Sequence, residues 1–113
     1  TLLDVAGVEI PETMQGRSLV PLFNTSKTES WRDAVYYHFY EEAFGVPKHY
    51  GVRTDDFKLI RFDTKPVSWE FYDIKNDPNE LINLYGDSQY QDEIDIHLEK
   101  LEALREKYLI SED

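Results

Sequence analysis

Between residues 33 and 40 the chain alternates Ala34, Tyr36, His38 and Tyr40 with Val35, Tyr37 and Phe39. Successive side chains of a strand point to opposite faces, so the segment predicts a strand whose two faces are both largely apolar or aromatic. A strand covered on one side only would alternate with polar residues, so neighbours are expected on both faces. Residues 50–54 and 57–62 predict a hairpin turning at Asp55-Asp56. Residues 69–74 predict a further strand, and residues 41–49, with Gly45 and Pro47, a loop. The cluster Asn76-Asp77-Pro78-Asn79-Glu80 is turn chemistry, with a short helical turn expected over 81–84. Tyr90, Ile94, Leu98, Leu101, Leu104 and Tyr108 then recur at spacings of three and four, one helical stripe about five turns long. Glu93, Lys100, Glu106 and Lys107 fall largely away from it. Ser88, followed three residues later by Gln91, has the pattern of a capping box.

These elements sum to an α+β fold, a small antiparallel β-sheet of about four strands packed against a long C-terminal α-helix. One such helix covers one sheet face. The other face is expected to stay aromatic and uncovered, and such a patch marks a missing neighbour. The first residues, Thr1 to Gly7, read as the last turns of a helix stopped by glycine. A helix without its beginning suggests a chain cut from a longer one. Residues 8–30 look irregular, interrupted at Pro11 and Pro21, with a helical turn expected over 18–23 and a polar loop over 24–30.

Composition narrows the picture. The 113 residues suffice for one small domain. Eight Tyr, six Phe and two Trp favour a sheet with bulky faces over a plain helical bundle. With 23 acids against 12 bases the net charge is −11, which disfavours nucleic acid and anionic membrane as partners. Cysteine is absent, so there is no thiolate nucleophile or thiolate metal site. No apolar run approaches the roughly 20 residues of a membrane span.

Several blocks in order resemble the C-terminal subdomain of sulfatases, in the alkaline phosphatase superfamily. They are Thr1-Leu-Leu-Asp-Val-Ala-Gly-Val8 with Pro11 and Gln15-Gly-Arg-Ser-Leu-Val-Pro-Leu22, then Trp31-Arg32, then Tyr50-Gly-Val-Arg-Thr-Asp-Asp-Phe-Lys-Leu-Ile60. The last is Glu70-Phe-Tyr-Asp-Ile-Lys-Asn-Asp-Pro-Asn-Glu-Leu-Ile-Asn-Leu84, similar to an Asp-Pro-x-Glu-x-x-Asn-Leu signature. The resemblance implies residues 1–30 as the tail of a catalytic domain and residues 31–113 as the subdomain docked on it. It implies a parent sulfuric ester hydrolase acting on sulfated carbohydrate, periplasmic or secreted, with calcium and a formylglycine made from Cys or Ser in a Cys/Ser-x-Pro-x-Arg motif. That motif is absent here, so no catalytic residue is expected in this chain, and the missing N-terminal sulfatase domain is its expected partner. A stand-alone carbohydrate- or protein-binding module, and part of a phosphodiesterase or phosphonate hydrolase of the same superfamily, are the alternatives.

In that subdomain the loop before the central hairpin rims the substrate pocket, which makes His49 the expected substrate contact, with Lys48 and Arg53 behind it. Against this, His49 reads as a surface histidine, Lys48 as a solvated lysine and Arg53 as half of a structural ion pair. His38, flanked by aromatics, reads as a satisfied core or interface histidine. Asp73, Asp77 and Glu80 lack the spacing of a calcium loop and read as turn chemistry. Glu41 and Glu42 are adjacent carboxylates without a partner acid.

Overall fold

The computed structural model of the chain describes residues 1–23 and 31–108. The polar loop expected over 24–30 lies outside them. The chain divides into two units, Thr1–Arg32 and Asp33–Asp113.

The first unit opens with one short helix, α1 (Leu2–Val5). Gly7 stops it with φ +67°, a left-handed conformation suited to glycine. The amide of Val8 donates back to the Leu3 carbonyl at 2.9 Å. The Thr1 hydroxyl accepts from the Leu19 amide at 2.8 Å, and Ser18 donates to Asp4 at 2.6 Å. These bonds hold the approach to a 3₁₀ turn at Val20–Phe23, where the helical turn was expected.

The second unit contains β1 (Val35–Phe39), β2 (His49–Arg53), β3 (Phe57–Phe62), β4 (Ser68–Asp73) and α2 (Gln91–Lys107). The strands form one antiparallel sheet in the order β1-β2-β3-β4. Tyr36, Val52, Leu59 and Phe71 lie opposite one another across the four strands, as do His38, Tyr50, Arg61 and Trp69. Both rows belong to the face that α2 covers. Val52, Leu59, Phe71 and Leu101 are fully buried, and Ile94 nearly so. They form one core with Tyr50.

The far face carries the rows Tyr37, Gly51, Ile60, Glu70 and Val35, Arg53, Lys58, Tyr72. The expectation that it is uncovered needs correction at its centre only. Ile60 and Tyr72 are buried, whereas Val35 and Arg53 are exposed and Tyr37, Phe39, His49 and Phe62 are partly so. A polar frame explains part of this: Lys58 pairs with Glu80 at 2.7 Å, and the Tyr72 hydroxyl donates to Glu70 at 2.9 Å. Gly51 sits beneath the Tyr37 ring. A β-carbon there would overlap the Leu59 carbonyl oxygen and come within 2.7 Å of the Tyr37 hydroxyl.

Two local expectations also change. The helix begins at Gln91 after Tyr90, and no side chain caps it, so Ser88 and Gln91 form no capping box. Asp87 organises the entry instead, its carboxylate accepting from the Gln89 amide at 2.9 Å and its carbonyl from Tyr90 at 3.0 Å. Residues 81–84 are not helical. Asn83 there acts as a substitute strand. Its Oδ1 accepts from the Phe71 amide at 3.0 Å, its Nδ2 donates to the Trp69 carbonyl at 3.2 Å, and the Leu84 amide donates to the Phe71 carbonyl at 2.8 Å. The outer edge of β4 is thereby paired.

Gly51→Ala is expected to destabilise the protein by about 3 kcal/mol or more, since backbone must move to admit the methyl. Gly16→Ala, with open space around it, serves as control. Urea midpoints of the two variants check this. Asn83→Ala, which leaves a strand-edge amide and carbonyl without partners, should cost about 1–3 kcal/mol in the same assay.

Candidate functional site

The hairpin joining β1 to β2 turns at residues 43–46. Ala43 and Val46 exchange backbone hydrogen bonds of 3.3 and 2.9 Å, and the two residues between them, Phe44 and Gly45, have φ +58° and +77°. Positive φ at both central positions is the twist a two-residue hairpin requires. Glycine takes it freely, whereas phenylalanine there costs about 1 kcal/mol. Phe44 is fully exposed.

Three residues beyond that turn the chain enters β2 at His49. Phe39, His49 and Phe62 lie opposite one another on adjacent strands, and the imidazole centre is 5.3 Å from the Phe39 ring and 5.1 Å from the Phe62 ring. The Tyr37 ring meets it edge-on at 6.0 Å. His49 Nδ1 lies 2.9 Å from the Pro47 carbonyl oxygen. A carbonyl only accepts, so this contact assigns the proton to Nδ1. In the neutral ring Nε2 is then an acceptor, and it has no partner among the described residues. Tyr37 supplies a second unused group on this face: its hydroxyl is buried without a hydrogen-bond partner among the described residues. Burial pushes that phenol's pKa up.

The other two expected residues do not converge on His49. Lys48 is exposed, and its carbonyl accepts from the Asp63 amide at 2.8 Å. Alternation continued by one residue turns its side chain away from the His49 face. Arg53 shares that face but lies four residues along the strand, about 13 Å away. It is exposed and forms no ion pair among the described residues.

His38 lies on the helix-covered face. Its Nδ1 is 3.0 Å from the Tyr36 hydroxyl, and its ring stacks on Tyr40 at 3.7 Å. Burial, and after it the charges of Arg105, His49 and Lys48, hold its pKa below the ordinary histidine value. Beside it the Tyr50 ring packs against two guanidinium groups, Arg61 at 5.3 Å and Arg105 at 4.7 Å. This is the satisfied histidine the sequence suggests.

Sequence reasoning missed His97. It is buried on α2, donates from Nδ1 to the Glu93 carbonyl at 2.7 Å and lies 3.1 Å from the Thr54 hydroxyl. The contact between this hydroxyl and Nε2 ties the helix to the β2–β3 turn. The signal was available, because position 97 stands three after Ile94 and four before Leu101 on the buried stripe.

The acids at 73–80 are turn chemistry. Asp73 accepts from the backbone and side-chain amides of Asn76 at 3.0 and 2.8 Å, and the Asn76 side chain is the main cause holding its carboxyl below the usual range. Asp77 Oδ2 accepts from the amides of Leu81 and Ile82 at 2.7 and 2.9 Å. No His, Asp and Glu group among the described residues could hold a metal ion.

The family model described as N-sulphoglucosamine sulphohydrolase, C-terminal, matches residues 1–107. The chain belongs to this family. It is thus a sulfatase C-terminal region, and the structural signature at 77–84 is explained by the contacts above. Among curated relatives, an N-acetylglucosamine-6-O-sulfatase of Bacteroides thetaiotaomicron is 45% identical over 96% of this chain and 20% of its own length. A solved structure described as a complex with its substrate D-glucosamine-2-N,6-O-disulfate is 42% identical, with TM-score 0.90, over 96% of this chain and 23% of that one. The phosphonate monoester hydrolase of Agrobacterium radiobacter is 28% identical, with TM-score 0.75, over 96% of this chain and 24% of that one. The sulfatase C-terminal region therefore spans about a fifth to a quarter of these proteins.

The lowered pKa of His38 has a stability consequence. As pH falls through about 6.5 the unfolded chain takes up the proton before the folded one does. Stability present above that pH is lost below it. His38→Gln should flatten the dependence of the urea midpoint between pH 7.5 and 5.5.

Proposed function

We propose that this region belongs to a sulfatase hydrolysing sulfate esters of carbohydrate, with residues 1–30 leading out of the catalytic domain and residues 31–113 docked on it. The observation that carries the reading is the high identity, over nearly the whole chain, to an amino-sugar 6-O-sulfatase. Phosphonate monoester hydrolysis is the second reading, supported by the Agrobacterium structure at lower identity.

Calcium and formylglycine, the groups of sulfatase chemistry, find no fitting residues here. The chain has no Cys and no Ser-x-Pro-x-Arg, and no metal-holding group among the described residues. No chemical step is derived through either group. The contribution of this region is to bind and orient. His49 is its substrate contact: neighbouring aromatic rings fix the imidazole, Pro47 fixes its tautomer, and Nε2 accepts the hydrogen of a sugar hydroxyl. Lys48 and Arg53 carry the donors that suit sulfate oxygens, but neither converges on His49, so neither shares its contact.

The test uses the full-length protein carrying this segment. His49→Phe keeps an aromatic ring between Phe39 and Phe62 but removes Nε2. It should raise KM for 6-O-sulfated N-acetylglucosamine about threefold to tenfold, with the melting temperature held. An unchanged KM removes His49 from the site. Turnover of a phosphonate monoester with no sulfate release from any sulfated sugar favours the second reading.

A further inference from the structure

We infer that Tyr37 is a positioning residue for His49: its ring, laid across Gly51, gives the imidazole the lateral support that its own strand does not. This role rests on the reading that His49 contacts substrate.

A strand side chain is flanked on its face by cross-strand neighbours and by the residues two positions away along its own strand. His49 has its cross-strand pair in Phe39 and Phe62, whose rings are tilted 30° and 36° to the imidazole. These rings restrain it across the strands. Its neighbour two positions along β2 is Gly51, which has no side chain. An empty place there would let the imidazole lean along the strand.

Tyr37 fills that place. It stands opposite Gly51 on β1. Its ring crosses the glycine so closely that a β-carbon there would come within 2.9 Å of Cζ and 2.7 Å of the hydroxyl. A strand glycine permits such an approach, and an aromatic side chain from the paired position covers it. The ring held there meets the imidazole edge-on, with the planes at 71°, an arrangement that ring pairs favour. The Pro47 carbonyl ties down one corner of the imidazole. The Tyr37 ring blocks its movement toward Gly51. The phenol oxygen is buried and makes no hydrogen bond among the described residues, so the ring carries this role and the hydroxyl does not.

The test measures KM for 6-O-sulfated N-acetylglucosamine with the full-length protein, well below its melting temperature. Tyr37→Leu should raise KM about twofold to fivefold at unchanged kcat. Tyr37→Met, with a longer side chain to cover Gly51, gives the same comparison if the leucine variant does not fold. Tyr37→Phe, which restores the ring, should restore KM. A double-mutant cycle separates positioning from general destabilisation. With His49→Phe already in place, Tyr37→Leu should change KM no further, whereas a role independent of His49 would add its full effect. Additive effects, or a Tyr37→Phe variant as impaired as Tyr37→Leu, overturn the positioning role. If His49→Phe raises KM and Tyr37→Leu does not, the pocket reading stands and only this role falls. If His49→Phe leaves KM unchanged, the pocket reading fails and the role of Tyr37 fails with it.

Discussion

The fold depends on one shared register, in which Val52, Leu59 and Phe71 stand opposite one another on β2, β3 and β4. Side chains alternate along a strand, so a slip of one residue would exchange the two faces completely. The register is held from both sides. On one face Ile94 and Leu101 of α2 close over the row. On the other, the Tyr37 ring lies on the bare backbone of Gly51, a position that admits no side chain. A slipped pairing would lose the apolar core and place a side chain under Tyr37. The same register sets His49 between Phe39 and Phe62, so the candidate contact inherits its position from the core.

The segment that most resembles a metal motif is what finishes the sheet. Asp77 satisfies two amides of the turn, Glu80 anchors Lys58 on the far face, and Asn83 with Leu84 pairs the outer edge of β4. An unpaired edge is a site for pairing with another chain. A side-chain amide carries a donor and an acceptor spaced like those of a peptide, so one asparagine can stand in for a short strand. The spacing Asp-Pro-x-Glu-x-x-Asn-Leu follows from this geometry.

Much of this was legible in the chain because strands and helices have different periods. The alternation at 33–40 and the three-four spacing from Tyr90 to Tyr108 gave the sheet, the helix and the α+β arrangement. What escaped was polar and nonlocal. His97 and Arg105 are buried on the helix stripe because each finds a partner from another element, Thr54 for one and the Tyr50 ring for the other. Residue type alone argues against burying either. The capping box failed because Asp87, one residue earlier, organised the entry to α2. The three proposed contacts were read from one loop and strand as a group. The strand separates them, since adjacent residues face opposite ways and residues four apart are on the order of 13 Å distant.

That separation leaves His49 as the one expected residue held among aromatic rings. Restraint is graded along the β1–β2 hairpin. At the base, His49 is fixed by rings on both neighbouring strands and by the Pro47 carbonyl. At the tip, the Ala43–Val46 backbone pair closes the turn. The gradient follows from the sheet register, which supplies aromatic neighbours to His49, whereas Phe44 is fully exposed.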